Sequence, residues 1–214
     1  MSAEYKALSP AEIEKLSFDM IEAELPHSAD PRYSHIIKRV IHTTADFDYL
    51  DNICFSENVE KLAASALHEG VPIVTDTRMA KAGISKAALS KLGSEVLCFM
   101  SDEDVALAAE QSGTTRAACA ISKAAAMQRR FIFAIGNAPT ALLRLHELIS
   151  QGKMVKPALI IGAPVGFVNV VQSKELIMQL DVPYIVARGR KGGSNVAAAI
   201  CNALIYDAVG RKLE

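Results

Sequence analysis

The chain has 214 residues, half of them hydrophobic, and its 23 Lys and Arg against 24 Asp and Glu give a net charge of −1. This length favours one large domain over two, and the composition excludes an intrinsically disordered chain. The balanced charge, with no basic cluster at either end, argues against a nucleic-acid-binding protein.

The N-terminal residues lack a basic start followed by an apolar stretch, so we expect no secretory signal. The longest apolar stretch, 158–171, is short and interrupted by Gly and Pro, which argues against a membrane span. We therefore expect a cytoplasmic protein with no membrane partner. Four widely spaced cysteines, Cys54, Cys98, Cys119 and Cys201, predict reduced, buried thiols and no metal site.

The N-terminal segment carries two helix-start signals. Ser9, followed by Pro10 and Glu12, has the residue types of a capping box with proline at the first helical position. Asp30 with Pro31 gives the second signal, ahead of an apolar stripe that ends near residue 42. In the first helix, apolar residues recur at helical spacing, namely Ile13, Leu16, Met20 and Ile21. We therefore predict two helices in the first 45 residues.

The rest of the chain alternates short apolar runs with helical segments. The predicted strands are 50–55, 72–75, 96–100, 131–135, 158–161 and 184–187. The predicted helices are 57–69, 86–92, 103–128, 140–151, 173–180 and 194–209. This alternation is typical of parallel strands joined by right-handed crossovers. We predict one α/β domain over residues 1–214: a doubly wound, mostly parallel sheet with helices on both faces and two N-terminal helices.

Ligands of such sheets bind beyond the carboxyl ends of the strands. Four segments there mix small and polar residues: 75–79, 136–140, 162–166 and 188–195. The last contains two arginines, one lysine and three glycines at a strand-to-helix turn, which suits an anion. A flexible turn with solvated cations is the alternative there, and an ordinary turn with an Asn137 helix cap is the alternative for 136–140.

Several sequence motifs are missing. No G-x-G-x-x-G follows a predicted strand and no G-x-x-x-x-G-K-[ST] occurs, which disfavours dinucleotides and nucleoside triphosphates. No G-x-S-x-G or H-E-x-x-H occurs either, which disfavours serine hydrolases and zinc proteases.

Two side chains stand out as candidates for chemistry. His42 is followed by Asp46 and Asp48, and Asp46 would meet the imidazole if the helix continued that far. A metal pair with these carboxylates matches no strong ligand signature, and a solvated helix end is the stronger alternative. Arg116 opens a helix rich in small residues, where it opposes the helix dipole and could meet an anion. A solvated arginine is the alternative there.

Taken together, these segments resemble the precorrin-8X methylmutase family of cobalamin biosynthesis. The resemblance extends from about residue 17 to about residue 204. It rests on ordered blocks at 40–48, 76–83, 136–142, 162–167, 188–190 and 192–194.

The resemblance implies an isomerase that moves a methyl group from C11 to C12 of a corrin-like macrocycle, giving hydrogenobyrinic acid or, with cobalt, cobyrinic acid. It implies no cofactor and no external methyl donor, and any cobalt would be carried by the substrate. The segment after His42 resembles that of members acting on the cobalt-containing substrate. The family also implies a homodimer with the active site near the subunit interface.

By this resemblance His42 matches the catalytic histidine, which would hydrogen-bond or protonate the macrocycle. The positions expected around the substrate and its carboxylates are Ser17, Asp76, Thr77, Met79, Thr115, Arg116, Asn137, Arg188, Arg190, Gly192, Gly193 and Ser194. Two other functions remain open at this point. One is a non-catalytic corrinoid carrier, and the other is a sugar-phosphate isomerase that uses the Gly-rich turn for a phosphate.

Overall fold

The computed structural model describes residues 8–211, which fold around one six-stranded sheet. The strands are β1 (Ile53–Phe55), β2 (Ile73–Thr75), β3 (Val96–Leu97), β4 (Ile132–Ile135), β5 (Leu159–Gly162) and β6 (Tyr184–Ala187). Their order across the sheet is β1-β6-β5-β4-β2-β3. Only the edge strand β1 runs antiparallel to its neighbour, so the predicted, mostly parallel sheet is confirmed.

Helices cover both faces of this sheet. They are α1 (Pro10–Glu24), α2 (Ser34–Thr44), α3 (Tyr49–Asn52), α4 (Val59–His68), α5 (Arg78–Gly83), α6 (Lys86–Ser90), α7 (Glu103–Ser112), α8 (Arg116–Ala126), α9 (Pro139–Ser150), α10 (Val170–Met178) and α11 (Ser194–Ala208). Helix α11 packs against α2, α4 and α5 on one face, while α7, α8, α9 and α10 pack in sequence on the other.

The central strands are buried on both sides, which explains their continuous apolar runs. Ile160 and Ile161 are both fully buried, yet they belong to hydrophobic clusters on opposite faces of the sheet. Strands covered by helices on both faces lose the apolar-polar alternation of half-exposed strands. The two clusters confirm the doubly wound arrangement.

The N-terminal helices differ from prediction in one start point. The capping box forms as expected, with the Ser9 amide donating to Glu12 at 2.8 Å and the Glu12 amide to the Ser9 hydroxyl at 3.4 Å. Asp30, however, begins a turn in which the amides of Tyr33 and Ser34 donate to its carbonyl, and α2 starts only at Ser34. The Asp30 carboxylate pairs with Arg32, so the predicted start at Asp30 is wrong.

Two longer predicted elements are also corrected. The predicted helix 103–128 is two helices, because Gly113 ends α7 in the left-handed conformation and Thr115 caps α8 by accepting the Ala118 amide at 3.2 Å. Residues 50–52 of the predicted first strand are helical in α3. The predicted strand 96–100 is limited to Val96–Leu97.

The structure also bears on the predicted cysteine thiols and on the expectation of no membrane span. The four cysteines are free, as predicted, but only Cys201 is buried, and the other three are half-buried. Within residues 8–211 no helix is long and apolar enough to cross a membrane.

The strand order places one reversal point in the sheet. From β2 the chain moves outward to β3, returns past β2 to β4, and then continues through β5 to β6 in the opposite direction. Crevices at the carboxyl ends of strands on either side of such a reversal are the usual ligand sites of open α/β sheets. The ends of β2 and β4 are therefore the place to examine first.

Candidate active site

Asp76 joins the two strand ends at the reversal point. Its side chain is 2% exposed, and its carboxylate accepts the backbone amides of Gly136, Asn137 and Ala138 at 2.8, 2.9 and 2.6 Å. Burial raises the pKa of this carboxyl, and the three amide hydrogen bonds oppose that shift. Both oxygens face the turn after β4. The carboxylate therefore positions that turn, which differs from the contact with substrate expected of Asp76.

The turn after β4 also lies directly against the start of α11. A side chain at Gly136 would come within 2.7 Å of the Ser194 Cα and 2.9 Å of the Gly193 carbonyl, so only glycine allows this approach. Helix α9 begins with Pro139 at its first position, as predicted, but its cap is Ala138, with no side-chain cap hydrogen bond. The expectation of an Asn137 cap is therefore wrong.

Thr77 connects the end of β2 to the same helix. Its hydroxyl accepts the Ala80 amide at 3.0 Å, which caps α5, and shares a hydrogen bond of 2.7 Å with the Ser194 hydroxyl. Met79, two residues further on, is 71% exposed. Thr77, Met79 and Ser194 are thus brought to one edge, as their predicted shared site requires.

The Gly-rich loop, residues 188–193, packs on the loop that follows β5. The Gly193 amide donates to the Ala163 carbonyl at 2.8 Å, and the Gly166 amide donates to the Arg190 carbonyl at 3.2 Å. A Cβ at Gly192 would collide with the Ala163 carbonyl oxygen. Glycine at position 192 is therefore required for the two loops to meet.

The three cations of the Gly-rich loop have different environments. Arg188 donates twice to Glu175, at 2.7 and 3.2 Å, so its charge is already paired. Lys191 donates to Asp46 and Asp48 at 2.7 and 2.6 Å. Arg190 is exposed, lies 5.5 Å from the centre of the Phe167 ring, and forms no ion pair within residues 8–211. Of the three, Arg190 is the one with charge to offer a ligand.

His42 lies near the end of α2, and Lys191 connects the following segment to the Gly-rich loop. Helix α2 ends at Thr44, and Ala45 adopts a left-handed conformation with φ 53°. The Asp46 carboxylate turns toward Lys191, so the predicted contact between Asp46 and the imidazole is wrong. No group of three or more His, Cys, Asp or Glu suited to a metal occurs among residues 8–211.

The His42 side chain is exposed, and one face of its ring rests on Phe18 of α1. The two ring centres are 5.3 Å apart with planes 27° from parallel. Arg39, one turn before His42 on α2, also contacts the Phe18 ring, at 5.0 Å, and donates to Glu14 at 2.7 Å. Sequence analysis named Ser17 in α1 but missed Phe18, which is the residue that touches the imidazole.

Thr115 and Arg116 stand at the start of α8, beside the start of α9. The Thr115 hydroxyl shares a hydrogen bond of 2.8 Å with the hydroxyl of Thr140, in the first turn of α9. Arg116 is exposed and forms no ion pair in the part of the chain that the structure describes. Its position in the first helical turn confirms the predicted start of α8, and its contact with substrate stays a prediction.

Large apolar side chains are exposed at the same edge, on the loops that follow β2 and β5. Phe167 and Val168 are 80% and 78% exposed, next to Val165 at 48%. Contiguous exposed apolar surface of this kind marks interaction sites. Sequence analysis listed 162–166 as a candidate ligand segment and 162–167 in the resemblance, but it did not single out these apolar side chains. The available signal was a run of apolar residues in a loop, where polar residues are usual.

Comparisons with known proteins identify the family of this chain. The family model described as precorrin-8X methylmutase matches residues 12–207. A cobalt-precorrin-8 methylmutase of Salmonella typhimurium is 45% identical, over 92% of this chain and 95% of that protein. A precorrin-8X methylmutase of Pseudomonas aeruginosa is 38% identical, over 90% and 93%.

A solved structure gives the same result. It is described as precorrin-8x methyl mutase from Thermus thermophilus, with a TM-score of 0.85 and 39% identity. The match covers 93% of this chain and 96% of that one. A match of this extent in both sequence and structure shows that the chain belongs to the precorrin-8X methylmutase family.

Proposed function

We propose that this isomerase moves a methyl group from C11 to C12 of cobalt-precorrin-8, giving cobyrinic acid. The observation that carries the proposal is the exposed His42 imidazole, fixed against Phe18 and joined through the Asp46–Lys191 pair to the Gly-rich loop. Membership of the methylmutase family disfavours a corrinoid carrier and a sugar-phosphate isomerase.

Two features favour the cobalt-containing substrate over the metal-free one. Identity is 45% to the relative named cobalt-precorrin-8 methylmutase and 38% to the one named precorrin-8X methylmutase. The sequence that follows His42 also resembles members acting on the cobalt form. Comparison of kcat/KM for cobalt-precorrin-8 and precorrin-8X tests this choice, and a higher value for the metal-free substrate would reverse it.

The reaction keeps all atoms within the substrate. The bond from C11 to the methyl carbon breaks and the bond to C12 forms, so neither a methyl donor nor a redox partner takes part. We assign to His42 the hydrogen bond or proton that stabilises the changing charge of the macrocycle, and that proton returns to His42 when the new bond is complete. Such acid catalysis supplies about 10²- to 10⁴-fold in rate, and a fixed reactive geometry supplies the remainder.

We assign substrate binding to two kinds of contact: ion pairs with the substrate carboxylates and apolar contacts with the macrocycle. The exposed guanidinium groups of Arg116 and Arg190 would hold substrate carboxylates. Phe167 and Met79 would lie against the macrocycle, which is large and apolar on its faces. Arg188, already paired with Glu175, would contribute less than the other two arginines.

We further propose that the active form is a homodimer. Three of the four apolar residues that recur along α1 are exposed, since Ile13, Leu16 and Met20 are 50%, 48% and 54% accessible. These side chains follow at i, i+3 and i+7, so they form one stripe on the helix that carries Phe18. A second copy that covers this stripe would lie close to the proposed substrate site.

The test of the catalytic assignment is turnover of cobalt-precorrin-8 by wild type and by His42→Ala, with no cofactor added. We expect the variant to lose about 10²- to 10⁴-fold in kcat, because general acid catalysis is lost, while its Kd for cobyrinic acid stays within about threefold. Corrin absorbance reports both quantities. If His42→Ala turned over substrate as fast as wild type, His42 would not be catalytic. If wild type bound corrinoids without turning them over, the hypothesis of a non-catalytic corrinoid carrier would be favoured.

A further inference from the structure

Lys174 is a buried cation directly beneath the Gly-rich loop. It lies on α10 and is fully buried, and its ammonium donates to the carbonyl oxygens of Gly189 and Lys191, both at 2.8 Å. Burial lowers the pKa of this amine to about 8. Placing an ammonium group away from water is costly. The cost indicates that the loop needs the cation there.

The two hydrogen bonds determine which way the neighbouring peptide groups face. In a planar trans peptide the C=O of one residue and the N–H of the next point in opposite directions. The carbonyls of Gly189 and Lys191 point to Lys174, so the amides of Arg190 and Gly192 point away from it. Within residues 8–211 neither of these two amides donates a hydrogen bond.

The other charges of this loop are arranged at its outer surface. Arg188 pairs with Glu175, and Lys191 with Asp46 and Asp48, so neither side chain competes for the carbonyls that Lys174 holds. Arg190 is exposed, and its own backbone carries one of the two amides that donate no hydrogen bond within residues 8–211. An anion held by the Arg190 guanidinium would therefore lie beside amide donors that have no protein acceptor there.

We propose that Lys174 is a positioning residue for substrate binding, which aims the amides of Arg190 and Gly192 at one carboxylate of the corrinoid. The inference rests on the proposed function, because it takes a polycarboxylate as the ligand. The ammonium also polarises the two peptide groups from behind, which strengthens their amides as donors to an anion. Unlike a surface cation, a buried cation keeps its effect at high salt.

The variant Lys174→Met tests this role, since methionine keeps an unbranched apolar chain and removes the ammonium. We expect the Kd for cobyrinic acid to rise about tenfold, as for a weakened charge-assisted contact. For a corrinoid whose carboxylates are amidated, the Kd should change less than twofold. The control is Lys156→Met, whose lysine is exposed and pairs with Asp181 ahead of β5, and it should bind both ligands as wild type does.

A second measurement starts from wild-type protein, so its first part does not depend on whether the variant folds. In ¹⁵N-labelled wild type, saturation with cobyrinic acid should move the Arg190 and Gly192 amide protons downfield, because they gain an anionic acceptor. In Lys174→Met these shifts should be smaller. If the two amides do not contact the ligand, their protons will not move on binding, and Lys174 then has no role in aiming them.

Three results would overturn the inference. They are an unchanged Kd in folded Lys174→Met, an equal loss of affinity for the acid and its amidated form, and wild-type amides at 190 and 192 that do not respond to the ligand. These results leave wild-type turnover of cobalt-precorrin-8 intact, so they reject the role of Lys174 alone. Wild type that binds no corrinoid would reject the proposed function and this inference together.

Discussion

The contact between His42 and Phe18 shows how one aromatic residue can orient an exposed imidazole. His42 and Arg39 are three residues apart on α2, so both side chains reach the same Phe18 ring from one face of the helix. Arg39 is in turn held by Glu14 of α1. The exposed ring of His42 therefore has one face fixed by packing and its nitrogen atoms left to act on a substrate.

We expect Phe18→Leu to lower kcat about tenfold, because leucine fills the space without stacking, and an aromatic pair is worth about 0.5–1.5 kcal/mol. The KM for cobalt-precorrin-8 should stay within about twofold, since Phe18 touches His42 and not the proposed carboxylate groups. Steady-state kinetics with this substrate measure both values. Phe18→Tyr should restore kcat, because it returns the ring.

Ile21→Val provides the matched control for this prediction. Ile21 is buried on the same helix. Its replacement by valine should alter the packing of α1 without changing the contact between Phe18 and the imidazole. If Ile21→Val lowered kcat as much as Phe18→Leu, the effect would come from loosening α1 and not from His42.

The arginines of the site should differ in importance according to their partners. Arg116→Ala should weaken cobyrinic acid binding by about 1.5–3 kcal/mol, the usual worth of a hydrogen bond to a charged group. Arg188→Ala should weaken this binding less than Arg116→Ala does, because Glu175 already holds that guanidinium. Spectroscopic titration of the two variants gives the comparison, and a larger loss from Arg188→Ala would contradict it.

At this scale the sequence predicts residue types better than residue partners. Arg188 and Arg190 belong to one motif and look equivalent in the sequence, yet one is paired and the other is exposed. Lys174 lies in a helix between Ser173 and Glu175, where nothing in the sequence distinguishes a buried lysine from an exposed one. Partners and burial depend on contacts between distant segments, which spacing along the chain does not contain.

Among the elements, the connection between β2 and β4 depends on Asp76. We expect Asp76→Asn to lower the free energy of unfolding by about 2 kcal/mol, because an amide keeps one acceptor oxygen and turns a donor toward amides that already donate. Chemical denaturation followed by circular dichroism measures the change. Asp181→Asn, at an exposed ion pair, should change the free energy of unfolding far less than Asp76→Asn does. Equal losses in the two variants would show that the buried hydrogen bonds contribute little.

Element prediction succeeded where a local signal was strong. The Ser9 capping box and the apolar runs of β4, β5 and β6 identify their elements from sequence, since each depends on neighbouring residues. The predicted helix 103–128 runs through the boundary between α7 and α8, although Gly113 and Thr115 are common end and start residues and Arg116 by itself predicts a helix start. The four residues of α3 are too few for periodicity to show a helix.

In the whole molecule, strand order brings the residues of the site together from separate parts of the chain. Segments after β2, β4, β5 and β6 meet at one edge because their strands are parallel neighbours. The alternation of strands and helices predicts that edge. It does not predict that α1 contributes Phe18 and α2 contributes His42, since this depends on how α2 packs against α11. The family resemblance assigned His42 to the site, and sequence analysis did not identify Phe18.

The exposed stripe of α1 leads to a prediction about assembly. Sedimentation velocity should show wild type as a dimer, and Leu16→Glu should convert it to a monomer, because a charge in an apolar interface loses hydration without gaining a partner. Leu107→Glu alters an exposed leucine of α7 and should leave the dimer intact. Since α1 carries Phe18, the Leu16→Glu monomer should also lose turnover. A wild-type monomer with full activity, or a Leu16→Glu dimer, would show that the stripe is not the subunit interface.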